Sequence, residues 1–376
     1  MNIVIAPDSY KGSMTALTAS KMMARAALDV FPNAKTVLKP MADGGEGTLD
    51  LLIEASKCIK IPITCSGPLG EAHRTYYAVS IDQKTAYIEC AQIAGLTLVP
   101  KEKRNPDHTT SFGIGEVLSD VLDRGCPEIV IALGGSAIND GGLGMLMALG
   151  LEAWDQNGKR LGPYGIDLLH VRRLSFATFD ERIFKRKITI ISDVMNPLCG
   201  PNGASYIFGP QKGATDEQVQ QYDQALNYFS TLIQKELAIH VRDAEGAGAA
   251  GGLGFSFLSL GGKVVPGAKY MANILQLDKV IQGADLVLTG EGRSDEQTLA
   301  GKAPSYVAKR AKQHKVPIFL ISGSLTGDLT LLQQTFTGCF SIIQKPMSLD
   351  RAISNAQHLL YERTKQLLYF LKNMTK

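Results

Sequence analysis

Short runs of β-branched and other apolar residues recur along this chain, and each stops abruptly at a polar, glycine-bearing loop that opens a helix. Residues 2–6 run into a loop that contains Asp8, and the predicted helix covers residues 16–30. Residues 36–39 repeat the arrangement. Continuous apolar runs are typical of buried parallel strands joined by helices. The pattern therefore predicts an α/β fold with a parallel sheet, and ligands bind such sheets at the carboxyl edge.

The pattern changes in the middle of the chain. From about residue 61, three predicted strands are separated by turns without helices, which favours antiparallel pairing. Strand–loop–helix order returns after about residue 279. We expect two unlike α/β domains: a Rossmann-like parallel-sheet domain formed by residues 1–60 and 280–376, and an inserted mixed α/β domain of residues 61–279.

Composition and charge narrow the classes of function. Hydrophobic residues make up 45% and charged residues 20% of the chain, as in ordinary globular proteins. The 39 basic and 36 acidic residues are mixed throughout, so we expect no nucleic-acid partner. No apolar run reaches the roughly 20 residues that span a bilayer, so we expect no membrane segment. Without a signal peptide or a paired cysteine pattern, a cytoplasmic protein with free thiols is expected. A homodimer is compatible with the sequence, which does not fix the oligomeric state.

The loop at residues 134–142 (GGSAINDGG) directly follows an apolar run and precedes a predicted helix. Consecutive glycines let backbone N–H groups converge, and a helix N-terminus adds partial positive charge, so the loop favours phosphate binding. Ser136 and Asn139 would donate further hydrogen bonds. The alternative is a turn that needs glycine only for its positive φ.

Residues 284–302 concentrate charge after another predicted strand. Gly290 ends the apolar run, and Glu291, Arg293 and Asp295 follow within a few residues. This crowding indicates chemistry on a charged substrate if the loop lies at the ligand-binding edge of the sheet. The alternative is a solvated loop with a surface ion pair.

Four aspartates have the same place relative to the predicted strands. Each lies just past the end of a strand, beside Gly, Ser or Pro. They are Asp8, Asp43, Asp193 and Asp295. One such aspartate is usually a helix cap. Cations occur in similar loops, at Lys11, Lys212 and Arg293. Phosphoryl transfer uses these parts: carboxylates for Mg²⁺, cations and N–H groups for the transferring phosphoryl, and a base near the acceptor hydroxyl.

Other catalytic motifs are weak or missing. Residues 246–251 match G-x-G-x-x-G, but no clean strand precedes them and no acidic residue follows at the spacing for a ribose. Close backbone packing is the better interpretation of those glycines. The sequence has no Walker A motif, protein-kinase signature, G-x-S-x-G elbow or H-E-x-x-H helix.

Six blocks of the sequence closely resemble the bacterial type I glycerate kinases. In chain order they are APDSYKGS (6–13), ADGGEGT (42–48), GGSAINDGG (134–142), IFGPQKGA (207–214), GAGAAGGLG (246–254) and TGEGRSD (289–295). The resemblance covers nearly the whole chain. It implies ATP-dependent phosphorylation of D-glycerate, at the 2-hydroxyl to give 2-phosphoglycerate, with ATP and Mg²⁺. It also implies two unlike α/β domains with the active site in the cleft between them.

With glycerate as the implied substrate, the charged loops receive roles. Arg293 or Lys11 suits the substrate carboxylate, Asp295 is our choice for the base, and Asp193 joins them as catalytic. The expected substrate-binding residues are Asp8, Ser9, Asp43, Gly290 and Glu291. The expected nucleotide-binding residues are Gly134, Gly135, Ser136, Asn139, Asp140, Gly141 and Lys212. The expected metal ligands are Asp193 and Asp43.

Three alternatives stay open at this point. The same chemistry would place the phosphate on the 3-hydroxyl or on another small hydroxy acid. A non-catalytic sensor would bind a nucleotide or a hydroxy acid, although binding alone does not need four strand-end aspartates. A nicotinamide dehydrogenase depends only on the glycines at 246–251.

Overall fold

The structure is a computed structural model that describes residues 1–299 and 301–374. In chain order its strands are β1 (Asn2–Ile5), β2 (Lys35–Leu38), β3 (Ile59–Ser66), β4 (Ala72–Val79), β5 (Thr85–Glu89), β6 (Glu128–Ala132), β7 (Glu152–Trp154), β8 (Arg173–Ser175), β9 (Lys187–Ile191), β10 (Lys263–Val265), β11 (Leu286–Thr289), β12 (Arg293–Ser294), β13 (Ile318–Ser322), β14 (Ser324–Leu325) and β15 (Gly338–Ser341). Its helices are α1 (Ala16–Val30), α2 (Thr48–Ser56), α3 (Cys90–Ala94), α4 (Phe112–Asp123), α5 (Leu143–Ala148), α6 (Gly165–Leu168), α7 (Ala204–Phe208), α8 (Asp216–Leu237), α9 (Ala249–Ser259), α10 (Gly267–Ile274), α11 (Leu277–Ile281), α12 (Ala303–Gln313), α13 (Thr330–Thr335), α14 (Leu349–Ser354) and α15 (Ala356–Met374).

The chain divides into two compact units, Met1–Asp43 with Pro266–Lys376, and Gly44–Val265. The sequence pattern placed these divisions near residues 60 and 280. The difference has a physical reason at the first division. The change from strand–helix order to hairpins becomes visible only where β3 begins, but the preceding α2 already packs on β4 and β5 of the second unit.

The first unit is built on a five-stranded parallel sheet with the order β15-β13-β11-β1-β2. Its central strands are mainly apolar, and Ile3, Ile5 and Leu288 are almost completely buried. Helix α1 begins at the cap Thr15, whose hydroxyl accepts a hydrogen bond from the N–H of Thr18. Helices α1 and α15 pack together beside this core.

The second unit is built on a six-stranded mixed sheet with the order β10-β9-β6-β5-β4-β3. Strands β10, β9, β6 and β5 are parallel, and β4 and β3 complete the sheet as antiparallel strands. The predicted α/β class is confirmed, with a parallel sheet in one unit and a mixed sheet in the other. Within the part of the chain that the structure describes, each helix is too short or too polar to cross a lipid bilayer.

Two glycine-rich loops of the second unit touch each other through their backbones. The N–H of Gly141 donates to the carbonyl of Gly251 at 2.9 Å. A Cβ at Gly251 would lie 2.1 Å from the carbonyl oxygen of Ile138, and the φ of Gly251 is +65°. Residues 246–254 therefore serve close backbone packing, which is the interpretation that the sequence favoured over a dinucleotide fingerprint.

Replacement of Gly251 by Ala should destabilise the protein by about 3 kcal/mol, because it combines left-handed backbone strain with a steric clash. Denaturant unfolding of the purified variant measures the change. Gly283 is the matched control, since a Cβ there meets nothing within 4 Å. Gly283→Ala should change the free energy of unfolding by less than about 0.5 kcal/mol. Equal effects of the two substitutions would contradict the packing argument.

Candidate active site

The loops that follow β1, β2 and β11 lie side by side in the first unit, because these strands are neighbours in its parallel sheet. The loop after β1 carries Asp8, Ser9 and Lys11, and the segment after β2 carries Asp43. The N–H of Asp8 donates to the carbonyl of Gly290 after β11, at 2.8 Å. The structure thus brings together predicted residues from three separate parts of the chain.

Lys11 and Asp43 form the closest charged pair of this cluster. The Lys11 ammonium donates to Oδ2 of Asp43 at 2.8 Å, and the Lys11 side chain is 72% exposed. Desolvation works against the charge of Lys11, but Asp43, Asp8 and Glu291 outweigh it and raise the lysine pKa. Lys11 therefore stays cationic while remaining accessible to a ligand.

Asp8 is buried, with 5% of its surface exposed. Its Oδ1 accepts a hydrogen bond from the N–H of Ser9 at 2.6 Å. Burial, followed by the negative charge of Asp43, raises the pKa of Asp8 well above the usual range, although the Ser9 N–H and Lys11 oppose the rise. Such a shift is common at functional sites, where carboxylates are desolvated beside other charges.

Glu291 is also buried, and hydroxyl groups surround it. Its Oε1 accepts hydrogen bonds from Thr298 at 2.7 Å and from Ser294 at 2.9 Å. The Thr298 hydroxyl in turn accepts the N–H of Asp295 at 3.1 Å. Burial raises the pKa of Glu291 against the effect of these donors. Glu291 therefore fixes the loop that presents Asp295.

Arg293 and Asp295 are the accessible members of the same loop. Nε of Arg293 lies 3.5 Å from Oδ2 of Asp295, and the two side chains are 68% and 20% exposed. Nε also donates to the hydroxyl of Thr326 at 3.2 Å. Oδ1 of Asp295 accepts the N–H of Gln297 at 3.0 Å. The guanidinium keeps donors for a ligand carboxylate because only Nε is engaged in these contacts.

Gly290 is required by a close approach between neighbouring strands. A Cβ at this position would lie 1.9 Å from the carbonyl oxygen of Ile321 and 2.5 Å from the Tyr10 hydroxyl. The buried Tyr10 hydroxyl donates to that same carbonyl. Gly290 thus allows the loop to leave β11 directly above the buried tyrosine.

The second unit assembles its own cluster at the carboxyl ends of β5, β6 and β9. The N–H of Gly134, just after β6, donates to the carbonyl of Gly44 at 2.8 Å. A Cβ at Gly44 would lie 2.9 Å from the carbonyl oxygen of Ile191, the last residue of β9. Asp193 follows two residues later and is half-buried. Residues 44–47 therefore pack on the loops after β6 and β9.

The loop at residues 134–142 has an accessible start and a buried remainder. Gly134 is half-exposed and Gly135 is exposed, whereas the side chains of Ser136 and Asn139 are buried. Nδ2 of Asn139 donates to the Ser205 hydroxyl at 3.0 Å. Because the N–H of Gly134 is engaged by Gly44, the N–H groups of Gly135 and Ser136 are the part of the loop that can meet a phosphate.

Asp140 holds the buried part of the loop and offers no donor to a phosphate. Its carboxylate accepts four hydrogen bonds, from the N–H and hydroxyl of Ser111 and from the N–H groups of Gly142 and Gly144, at 2.6–3.2 Å. Burial raises the pKa of Asp140, and these donors oppose the rise. The N–H of Gly141 is likewise engaged, by Gly251. The helix α5 that follows has only six residues, so it adds little dipole.

Lys212 lies under the same loop, with 2% of its surface exposed. Its ammonium donates to the carbonyl of Ile138 at 2.6 Å. Burial lowers the pKa of Lys212 to about 8, and the nearby Cys90 and Asp140 act in the opposite direction. The sequence predicted that Lys212 contacts the nucleotide; in this structure its ammonium is buried and hydrogen-bonded to the loop itself.

Glu89 is a member of this cluster that the sequence analysis missed. It ends β5, is 1% exposed, and accepts the N–H groups of Gly47 at 3.1 Å and Leu49 at 2.7 Å. Burial raises its pKa to about 7, against the effect of the two N–H donors. The signal was present, because Glu89 is a carboxylate directly after an apolar run. Glu89 lacks the neighbouring Gly, Ser or Pro that marks the four strand-end aspartates.

Among residues 1–299 and 301–374, the His, Cys, Asp and Glu side chains form no group of three or more that could hold a metal ion. Mg²⁺ in phosphate-transferring sites needs fewer protein ligands, because one or two carboxylates, the substrate phosphates and water complete its coordination shell. Asp193 fits that demand by its place after β9. Asp43 is the weaker of the two predicted ligands, since its Oδ2 is held by Lys11.

Comparisons with known proteins agree along the whole chain. A family model described as the glycerate kinase family matches residues 3–372. A glycerate kinase from Halalkalibacterium halodurans is 42% identical over 97% of each chain. A glycerate 2-kinase from Escherichia coli is 42% identical over 95% of this chain and 94% of its own. The crystal structure of a Salmonella typhimurium protein assigned as glycerate kinase 2 is 38% identical, with a TM-score of 0.85 over 100% of this chain and 99% of its own.

The buried ammonium of Lys212 predicts a specific pH dependence of stability. A lysine in the unfolded chain titrates near 10.5, whereas Lys212 in the folded protein titrates at about 8. Between these values the unfolded state binds the proton that the folded state has lost, so stability rises with pH. The wild type should gain about 3 kcal/mol over Lys212→Met between pH 8 and 10.5.

Denaturant unfolding at several pH values measures this gain, and the exposed Lys263 supplies the matched control. Lys263→Met should leave the pH profile of unfolding as it is in the wild type. A constant difference between the wild type and Lys212→Met across this pH range would contradict the placement of the ammonium.

Proposed function

Because the chain belongs to the glycerate kinase family, we propose that it transfers the γ-phosphoryl group of ATP to the 2-hydroxyl of D-glycerate. The products are 2-phosphoglycerate and ADP. The observation that carries the proposal is the 42% identity over 95% of the chain to a relative named glycerate 2-kinase. The strand-end clusters of both units support it, because they contain the residue types that phosphoryl transfer requires.

The acceptor would be bound by the cluster of the first unit. The accessible cations Lys11 and Arg293 suit the glycerate carboxylate, and Arg293 has free donors for a bidentate contact. Asp8, Ser9, Asp43, Gly290 and Glu291 shape this cluster. Asp43 acts by holding Lys11, and Glu291 by holding the Asp295 loop.

We propose that Asp295 is the base that accepts the proton of the attacking hydroxyl. This carboxylate is accessible, whereas Asp8 is buried and already accepts the Ser9 N–H. Oδ2 of Asp295 lies 3.5 Å from Nε of Arg293. One loop would therefore position both the base and, through Arg293, the carboxylate of the substrate. A base must reach the hydroxyl directly, which favours the accessible carboxylate.

The phosphates of ATP would be bound by the N–H groups of Gly135 and Ser136 in the second unit, and Gly134 would hold the start of the loop through its N–H to Gly44. Asn139, Asp140, Gly141 and Lys212 would hold this loop from inside rather than touch the nucleotide. Asp193 and the phosphate oxygens would hold Mg²⁺. A bound magnesium ion would reduce the negative charge of the phosphates that the acceptor hydroxyl approaches.

A cytoplasmic enzyme and a homodimer are part of the same proposal. All six cysteines are free thiols, which supports a reducing compartment. The homodimer rests on no contact in a single chain, and light scattering of the purified protein measures it.

The test is ADP release with D-glycerate, lactate, glycolate and tartronate as acceptors. We expect ADP release that depends on D-glycerate and on Mg²⁺, because only glycerate matches the proposed acceptor. Nucleotide binding without turnover for any acid would overturn the kinase proposal in favour of a sensor. Faster turnover with another acid would change the assigned substrate.

Asp295→Asn should reduce kcat by at least about 100-fold, the usual range for loss of a general base, and leave ATP binding nearly intact. Steady-state kinetics and calorimetric titration with ATP measure the two properties. Glu296→Gln is the matched control, because it neutralises an exposed carboxylate of the same loop. Near-normal turnover of Asp295→Asn would remove Asp295 as the base.

A further inference from the structure

Glu89 has a place in the second unit that the proposed chemistry does not use. We propose that Glu89 is a positioning residue for the nucleotide phosphates, acting through residues 44–47 on the Gly134 N–H; this inference rests on the proposed function. Glu89 touches neither substrate nor nucleotide in this account. Its role is to fix the backbone on which the phosphate-binding loop is placed.

The first step is the junction of Glu89 with α2. The helix begins after Gly47, which has a φ of +88° and no side chain with which to cap the helix. Glu89 supplies the missing cap from β5, since its two oxygens accept the N–H groups of Gly47 and Leu49. A carboxylate at a helix N-terminus is also favoured by the helix dipole. Both oxygens are needed, one for each N–H.

The second step leads from Gly47 to Gly44. Residues 44–47 form a tight turn that Thr48 closes, because its hydroxyl donates to the carbonyl of Gly45 at 2.7 Å. Thr48 is completely buried and begins α2. The position of the helix start, which Glu89 sets, therefore determines where the carbonyls of this turn lie.

The third step connects the turn to the phosphate-binding loop. The carbonyl of Gly44 accepts the N–H of Gly134 at 2.8 Å. A Cβ at Gly134 would lie 2.5 Å from Cα of Gly45, so the two backbones are in direct contact. A shift of residues 44–47 would move Gly134. The N–H groups of Gly135 and Ser136 would then no longer be held in place.

The charges around Glu89 make this support sensitive to protonation. The groups that act on its carboxylate are Asp50 of α2 and Glu46 of the turn. Lys60 offsets Asp50 at 2.9 Å, and the adjacent Cys90 is a neutral thiol whose pKa burial raises to about 12. The pKa of Glu89 is raised to about 7, so a proton occupies one oxygen in acid. A protonated oxygen presents O–H to an N–H and cannot cap it.

Glu89→Gln imitates the protonated state, because its amide nitrogen cannot accept an N–H. We expect the KM for ATP to rise about tenfold at pH 8, the effect of one lost hydrogen bond to a charged group, with the KM for D-glycerate unchanged. Calorimetric titration with ADP should show the same weakening without turnover. Glu116→Gln is the matched control, since Glu116 also accepts a backbone N–H, from Ser66 at 2.6 Å, but on α4. It should leave both KM values unchanged.

The pH profile separates positioning from general destabilisation. The ratio of the KM for ATP in Glu89→Gln to that in the wild type should fall toward one as the pH falls from 8 to 6, because the wild type then acquires the same defect. The ratio cancels the titration of ATP itself. If Glu89→Gln does not fold, Thr48→Val tests the same turn and should raise the KM for ATP selectively.

Two results would overturn the inference. One is a change of kcat alone, with the KM for ATP and ADP affinity as in the wild type. The other is an equal rise of both KM values, which would indicate general damage. A wild type that binds ADP but does not phosphorylate glycerate would refute the proposed function instead, and the ADP titration of Glu89→Gln would still decide the role of Glu89 in nucleotide binding.

Discussion

The loop at residues 134–142 depends on two buried charges, the carboxylate of Asp140 and the ammonium of Lys212. Buried charges are costly unless they are paired and hydrogen-bonded. Asp140 meets this condition through four donors, and Lys212 donates to the carbonyl of Ile138 within the same loop. The two charges act from inside, so the buried half of the loop is fixed and its start at Gly134 and Gly135 remains accessible.

In the first unit, several carboxylates lie close to one another and to a lysine. Three carboxylates, Asp8, Asp43 and Glu291, interact with the ammonium of Lys11, and Glu291 also interacts with Lys302. Burial raises the pKa of Asp8 and of Glu291, because it disfavours their charged forms. Lys11 stays accessible because its contact with Asp43 lies at the surface.

Much of this organisation could be predicted from the sequence. Apolar runs ending in glycine loops located β1, β6 and β11, and the parallel order of strands explains why Asp8, Asp43 and Glu291 converge. The burial of Asp140 and Lys212 could not be predicted, because it arises from packing against residues distant in the chain. The role of Glu89 could not be predicted for a similar reason. The helix that it caps begins about 40 residues earlier, so no local pattern connects the carboxylate to its N–H partners.

The roles proposed for both clusters depend on one reaction, the transfer of the γ-phosphoryl group of ATP to the 2-hydroxyl of D-glycerate. Proton–phosphorus correlation NMR of the product formed from ATP and D-glycerate tests it most directly. Transfer to the 2-hydroxyl gives a phosphorus resonance that correlates with the single proton on C2. Correlation with the two protons on C3, or ATP that remains unconsumed in the presence of glycerate, would contradict it.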